Sequence, residues 1–390
     1  MLVPNKPKNE VAMRAKNSQI FFGEKLRLAR TFRGLTLSQV GKELNDIYPQ
    51  FIAFLESGRK KPSGLLLAAL GELLGFEVQF FQEPLTEAFQ DEECAFRKRA
   101  STPLWIRQRA LAHGTLLGML ISYLDSAVSL PETNLPIIRA ENAEDIERAA
   151  EHCRMQWGLG LDVPIAGMTR VLELAGVVVA KFRDLPQNLD AFSRPGTRSA
   201  VILNEKSVSR SEMDLAHECG HLVLHKGKPT GTPETEREAD HFGGAFLLPR
   251  TGFAREFRAS GACDSRGWLR WDVLLRLKQR WRTSVQAMVF RAHELRLIDS
   301  LQYQRAFKYI SARWGRKHEL GEFDAQNPEL ISLAFEQVRK DYNMLPADLA
   351  HALHWYPRTL QEIAAVPIPS PVTPQIQPSA QIIEFAPKTR

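Results

Sequence analysis

The stretch from Met213 to His225 reads MDLAHECGHLVLH and constrains this chain more than any other. It places the pattern His-Glu-x-x-His inside an apolar run that favours an α-helix. Residues four apart lie on one face of a helix, so His217 and His221 can both point at one ion. Glu218 lies over the same site, where a carboxylate can take a proton from a water molecule. We expect roughly 0.02 accidental copies of this pattern in such a chain. The alternative, a core helix that happens to carry two histidines, stays open.

A catalytic zinc site needs a third protein ligand and one position left for water. Glu236 and Asp240 follow on a second helical segment and, four residues apart, share a face of it. Glu236 can bind the metal while Asp240 hydrogen-bonds a ligand histidine. Glu238 lies about 200° around the helix from Glu236, so only one of these two can be the ligand, and the pairing with Asp240 favours Glu236. The alternative is an acidic first turn that favours the helix dipole.

Two other residues near the motif are weaker candidates. His225 shares the face of His217 and His221 but lies about 12 Å from His217 along the helix, too far for one ion, so we expect it to support the ligands instead. Cys219 points away from the site and is expected in the core. No Cys-x-x-Cys pair occurs, which indicates reduced thiols and neither a disulfide frame nor a thiolate zinc site.

Several segments of the chain resemble the ImmA/IrrE family of metallopeptidases. The segments are GVVVAKF, AVILN, SEMDLAHECGHLVLH and EREADHFGGAFLLP. The resemblance implies a gluzincin-like domain, with His217, His221 and Glu236 as ligands of Zn²⁺ and Glu218 as general base. It also implies limited proteolysis of a transcriptional repressor. The chain departs from the family at Cys219, where a bulky aliphatic residue is usual, and at Gly243-Gly244, where alanine is usual.

The first part of the chain has the pattern of several short helices. Apolar residues recur at three- and four-residue spacing from Phe22 to Phe32, and further helices are expected after Thr36, from Gln50 to Ser57 and from Leu65 to Leu74. A tight turn between the second and third helices is typical of a helix-turn-helix domain. Residues 18–63 carry eight Lys or Arg and four Asp or Glu, a net charge of +4. This charge favours a nucleic-acid partner.

This part of the chain resembles the repressor-like Cro/C1 (XRE) regulators. The resemblance lies in GEKLRLARTFRGLTLSQVGKEL, FIAFLESGRKKPS and LLAALGELLGF. It implies a third helix in the major groove. The chain departs from the family at Leu37, where Gln is usual, and at Tyr48-Pro49-Gln50, which opens the third helix. The candidate DNA-binding residues are Thr36, Gln50 for base edges, and Arg59, Lys60 and Lys61 for phosphates. A charged face on a dimerisation or protein-docking module is the alternative.

The periodicity of apolar residues and the positions of Gly and Pro predict a mainly α protein with a small β-sheet (α+β). The expected units are an arm (1–17), the helix-turn-helix domain (18–82), a helical connector (83–143), the peptidase domain (144–310), a helical extension (311–365) and a Pro-rich tail (366–390). No apolar run has the length of a membrane span, and no signal-peptide core is present at the N-terminus. We therefore expect a cytoplasmic protein whose partner is a repressor-type substrate. DNA and a second copy of the chain are further candidate partners.

Overall fold

Helices surround a small sheet in the computed structural model of the protein, which describes residues 20–86, 95–96, 103–182, 191–194, 198–204, 207–264, 266–314 and 320–365. The expected α+β class is confirmed. The predicted arm (1–17) and Pro-rich tail (366–390) lie outside the described residues. Among the described residues, no helix has the length and apolar character needed to cross a membrane.

The N-terminal helices begin and end where local sequence signals place them. They are α1 (Gly23–Phe32), α2 (Leu37–Glu43), α3 (Pro49–Glu56) and α4 (Gly64–Leu74), followed by a 3-10 helix (Val78–Gln82). Thr36 caps α2 through a reciprocal pair of hydrogen bonds with Gln39, and Ser63 caps α4. Helix α3 begins at Pro49, one residue earlier than expected, because proline suits the first helical position, where no N–H is needed.

Four strands form one sheet with the order β1-β3-β4-β2. They are β1 (Ala95–Phe96), β2 (Val178–Phe182), β3 (Ala191–Arg194) and β4 (Ala200–Asn204). β2 and β4 are parallel, with Val178 opposite Ala200, whereas β3 is antiparallel to β4. β2 and β4 hold short apolar runs rich in β-branched residues, which favour buried strands. β1 gives no such signal, because two residues show no periodicity.

Helices α5 to α13 run from the connector through the predicted peptidase domain. Their bounds are α5 (Leu104–Ala127), α6 (Ala143–Gln156), α7 (Met168–Leu174), α8 (Val208–Leu224), α9 (Pro233–Leu247), α10 (Arg250–Ala259), α11 (Trp271–Trp281), α12 (Val285–Glu294) and α13 (Ser300–Arg313). Three more helices follow: α14 (Leu330–Tyr342), α15 (Pro346–Ala352) and α16 (Pro357–Ala364).

The sheet separates two hydrophobic cores because its strands alternate their side chains between its faces. Ala180 and Ile202 face the first core, which holds α1 to α5 and α14 to α16. Val179 and Val201 face the second core, which holds α6 to α13. The last three helices therefore pack on the N-terminal unit. The domain bounds given above stay predictions.

Candidate metal centre

Two helices bring one carboxylate and two imidazoles together. His217 and His221 lie one turn apart on α8, and their Nε2 atoms are 3.1 Å apart. Glu236, in the first turn of α9, places Oε1 3.3 Å from Nε2 of His221 and Oε2 3.6 Å from Nε2 of His217. One ligand atom from each residue lies within 4.8 Å of the others. The three residues expected as ligands therefore form one cluster.

This cluster fits a metal ion better than it fits a hydrogen-bonded core. Both carboxylate oxygens of Glu236 are shielded from water, and neither has a hydrogen-bond partner among the described residues. A buried polar group without a partner is costly. The two Nε2 atoms point at each other and at these oxygens, and two imidazole nitrogens with one carboxylate oxygen are a donor set that zinc prefers. Zn²⁺ would be held by His217, His221 and Glu236.

A second layer of side chains fixes the imidazole rings. Nδ1 of His217 lies 2.8 Å from Oδ1 of Asp240, and Nδ1 of His221 lies 2.9 Å from Nδ1 of His225. Nε2 of His225 in turn lies 2.7 Å from Oε2 of Glu238. Such contacts orient a ligand histidine and set which ring nitrogen faces the metal. The structure thus places Asp240 and His225 beside the cluster, in the supporting positions expected from the sequence.

Glu238 has a place in the site that sequence reasoning missed. Glu238 points away from the metal cluster, as expected from its angle of about 200° to Glu236 around the helix. Its carboxylate instead contacts His225. The available signal was the separation of His225 from His221 by one helical turn, the same spacing as within the motif. This spacing could have predicted a contact between His225 and an acidic residue of α9.

Glu218 is buried within the site. Burial raises the pKa of its carboxyl group to about 7, and its Oε2 has no hydrogen-bond partner among the described residues. The hydroxyl of Ser193 on β3, itself buried, hydrogen-bonds the Glu218 carboxylate. Ser193 was not singled out from the sequence. Strand alternation places it on the same face as Ala191, which packs in the second core.

The charges of the cluster favour a cation. Burial lowers the pKa of His217, but the nearby carboxylates of Asp240 and Glu236 outweigh burial and raise it to about 10. Burial raises the pKa of Glu236, but contacts with the two histidines lower it to about 2. Burial lowers the pKa of His221. The site therefore stabilises positive charge between its carboxylates, which is what a divalent ion requires.

Close contact between α8 and α9 makes this geometry feasible. A Cβ atom on Gly220 would lie 3.2 Å from Cα of Ala239, and one on Gly243 would lie 3.1 Å from the backbone nitrogen of His217. Two glycines thus let the helix backbones approach. Cys219 is fully buried in the second core, and burial raises the pKa of its thiol well above the usual value. The expectation that it is a core residue is confirmed.

A buried ion pair holds α9 against α6 and α12. Arg291 donates two hydrogen bonds to Glu147, at 2.6 and 2.8 Å, and a third to the carbonyl of Leu248 just beyond α9. His241, on α9, lies 2.8 Å from Oε1 of the same Glu147. Burial raises the pKa of Glu147, but these partners outweigh it and lower the pKa to about 2. This network lies one residue beyond Asp240 and positions the helix that carries the site.

The candidate DNA-binding residues lie elsewhere, on the N-terminal unit. All five are exposed: Thr36, Gln50, Arg59, Lys60 and Lys61. The hydroxyl of Thr36 is 2.9 Å from the side chain of Gln39 in the cap of α2. The charged groups of Arg59 and Lys60 lie 6.0 and 5.6 Å from the ring centre of Phe54. The structure does not bring these residues to the metal cluster.

Comparison with known proteins singles out the part of the chain that holds this cluster. A search of curated proteins found no match to this chain. Residues 172–293, which include β2 to β4, α8 and α9, match the model of the peptidase M78 family, described as an IrrE N-terminal-like domain. This part of the chain is thus similar to a metallopeptidase-like domain.

Proposed function

We propose that the protein is a zinc-dependent endopeptidase of the His-Glu-x-x-His type. The observation that carries this proposal is the cluster of His217, His221 and Glu236, in which two buried carboxylate oxygens face two Nε2 atoms without a hydrogen bond. The match of residues 172–293 to a peptidase family supports it. A structural zinc site would have a fourth protein ligand, whereas these three residues leave one position open.

The chemistry follows from the positions of the side chains. Bound Zn²⁺ would lower the pKa of a water molecule and polarise the scissile carbonyl. Glu218, with a pKa near 7 caused by burial, accepts a proton from the attacking water and passes it to the leaving amine. Ser193 holds the Glu218 carboxylate by its hydroxyl group. Asp240 and His225 keep the two histidine rings in orientation.

The substrate that we propose is a transcriptional repressor, and its cleavage would switch gene expression in the cytoplasm. The resemblance of the peptidase part to ImmA/IrrE proteins and of residues 23–76 to repressor-type regulators supports this choice. The exposed side chains of Gln50, Arg59, Lys60 and Lys61 would allow the N-terminal unit to contact DNA. A dimer of the chain would suit a helix-turn-helix protein.

The test is Glu218→Gln in the full chain. We expect this variant to bind zinc as the wild type does, because the amide leaves all three ligands in place, and to lose peptidase activity by at least about 100-fold, since it cannot accept the proton. Cys219→Ala, one residue along the same helix, is the control and is expected to keep both properties. Cleavage at the wild-type rate by Glu218→Gln would rule out Glu218 as the general base.

A second candidate function is a DNA-binding regulator whose peptidase-like part senses metal or a partner without turnover. It is favoured by the exposed basic residues that follow α3. Since the N-terminal helices share a core with α5 and α14 to α16, DNA binding is best measured with the full chain. Salt-dependent binding that changes with zinc, together with no cleavage of any repressor offered, would favour this candidate over the peptidase.

A further inference from the structure

Strand β1 pairs with the strand that contacts the proposed base. β1 pairs antiparallel with β3, with Ala95 opposite Ser193 and Phe96 opposite Phe192. Directly opposed residues in such a pair have Cα atoms about 5 Å apart. The hydroxyl of Ser193 hydrogen-bonds the carboxylate of Glu218. The backbone of β1 therefore passes within one strand spacing of the residue that contacts the proposed general base.

The edge that β1 covers is suited to an extended peptide. In the sheet order, β3 has β4 on one side and β1 on the other. Without β1, β3 would be an edge strand with unpaired N–H and C=O groups, a surface that readily takes an added strand. A peptide that added antiparallel to β3 would need the positions that Ala95 and Phe96 hold. One edge can pair with one strand at a time.

The chain keeps β1 at high local concentration at this edge. Leu85, ten residues before Ala95 in the sequence, donates its backbone N–H to Glu24 of α1. Leu104, eight residues after Phe96 in the sequence, begins α5, which is buried in the first core. A segment held by short connections on both sides competes at an effective concentration on the order of millimolar.

We propose that β1 is an internal competitor, a segment of this chain that occupies the peptide-binding edge of β3 and restrains the peptidase until a substrate displaces it. The restraint of cleavage rests on the proposed peptidase function. The occupation of the β3 edge by β1 does not depend on that function and can be measured by binding. The proposal goes beyond the assignment of the metal ligands, because it names the surface that receives the substrate and the segment that covers it.

The test compares three full-length chains, all with Glu218→Gln so that no peptide is cut. They are the parent, the double variant Ala95→Pro/Phe96→Pro, which removes both β1 amide donors, and Ala95→Ser/Phe96→Leu, which keeps them. The probe is a fluorescent peptide with the sequence of residues 90–101, and its binding is followed by anisotropy. We take the effective concentration of β1 at the β3 edge as about 1 mM and the Kd of β1 or the peptide for a free edge as about 100 μM. The proline variant should then bind the peptide about tenfold more tightly than the other two chains.

A second release variant replaces residues 91–99 by a Gly-Ser linker of equal length and is expected to bind the peptide as the proline variant does. With Glu218 restored, both release variants should cut peptides faster than the wild type. Equal binding by parent and release variants would overturn the proposal, as would zinc-dependent cleavage of the chain itself within residues 90–101, which would make β1 a substrate. Tighter binding without turnover by any chain would instead contradict the peptidase function and retain β1 as the occupant of the edge.

Discussion

At the scale of single residues, Glu236 carries most of the argument for a metal. Its carboxylate is charged at neutral pH, since its pKa is lowered to about 2 by the two histidines against the effect of burial. Its oxygens accept no hydrogen bond from any described residue. A carboxylate in that state is costly unless a cation completes its surroundings. Zn²⁺ held by Glu236, His217 and His221 would provide that cation.

Replacing Glu236 should therefore abolish tight zinc binding, whereas replacing Glu238 or Glu234 on α9 should reduce zinc binding less or leave it unchanged. We expect Glu236→Gln to lose stoichiometric zinc. Glu238→Gln, which changes the residue in contact with His225, should weaken zinc binding about 10- to 100-fold. Glu234→Gln, exposed in the same first turn, is the matched control and should bind zinc normally. Zinc per chain after dialysis measures all three. Full occupancy in Glu236→Gln would assign the third ligand elsewhere.

The Glu147–Arg291 pair should give stability that depends on pH. The folded pKa of Glu147, about 2, is below the ordinary value of 4.5, so its contribution is fully present above pH 4.5 and is lost as pH falls towards 2. That shift corresponds to about 3 kcal/mol near pH 7, falling by about 2 kcal/mol at pH 3. Urea unfolding of the wild type and Glu147→Gln at both pH values measures it. A difference that stays constant with pH would contradict the assignment.

At the scale of elements, the site depends on how closely α8 and α9 cross. His217 and His221 lie on one helix and Glu236 on the other, so the distance between the helix backbones sets the size of the cluster. Gly220 and Gly243 lie at the crossing, where an added Cβ would meet backbone atoms at 3.2 and 3.1 Å. Interiors are packed too tightly to absorb such contacts without a shift.

Two adjacent glycines in α9 allow a matched test of this crossing. In Gly244→Ala the new Cβ meets only side-chain atoms, at 3.8 Å or more, so the variant should gain up to about 1 kcal/mol of stability from helix propensity. Gly243→Ala has the same gain but presses on the backbone of His217, so we expect it to be about 1 kcal/mol less stable than Gly244→Ala and to bind zinc more weakly. Thermal unfolding and zinc titration compare them. Identical behaviour would mean that the crossing is not tight.

Most elements could be predicted from the sequence because their signals are local. The period of α8, the β-branched run of β2 and the cap residues Thr36 and Ser63 each act within a few residues. Non-local contacts could not be predicted. The contact of Ser193 with Glu218 depends on how a strand and a helix pack, and β1 depends on a partner strand far along the chain.

At the scale of the whole molecule, the N-terminal helices and the last three described helices share one core. Phe76 from the N-terminal unit packs edge-on against Trp355, with ring centres 6.5 Å apart, and the backbone of Tyr356 donates to the carbonyl of Gly75. Arg33, the residue after α1, donates hydrogen bonds to the carbonyl of Leu74 and the hydroxyl of Thr359. The sequence predicts helices in both places, but nothing in their periodicity says that they meet.

Loss of the Trp355 ring should therefore weaken the N-terminal unit without removing zinc. Trp355 is 1 % exposed, so Trp355→Ala should cost about 3–5 kcal/mol. Trp355→Phe, which keeps an aromatic ring and removes an indole N–H that has no partner among the described residues, should cost much less. Amide hydrogen exchange would then rise in α1 to α4 for the alanine variant, while zinc per chain stays constant. Unchanged exchange would contradict a shared core.

We propose that His217, His221 and Glu236 form the zinc centre of a peptidase. The decisive experiment is to titrate the metal-free full chain with Zn²⁺ and to measure the cleavage of a repressor-type protein at each step. We expect activity to be absent without metal, to rise in proportion to added zinc and to stop rising at one equivalent per chain. Cleavage by the metal-free chain, or activity that does not follow zinc occupancy, would contradict the account.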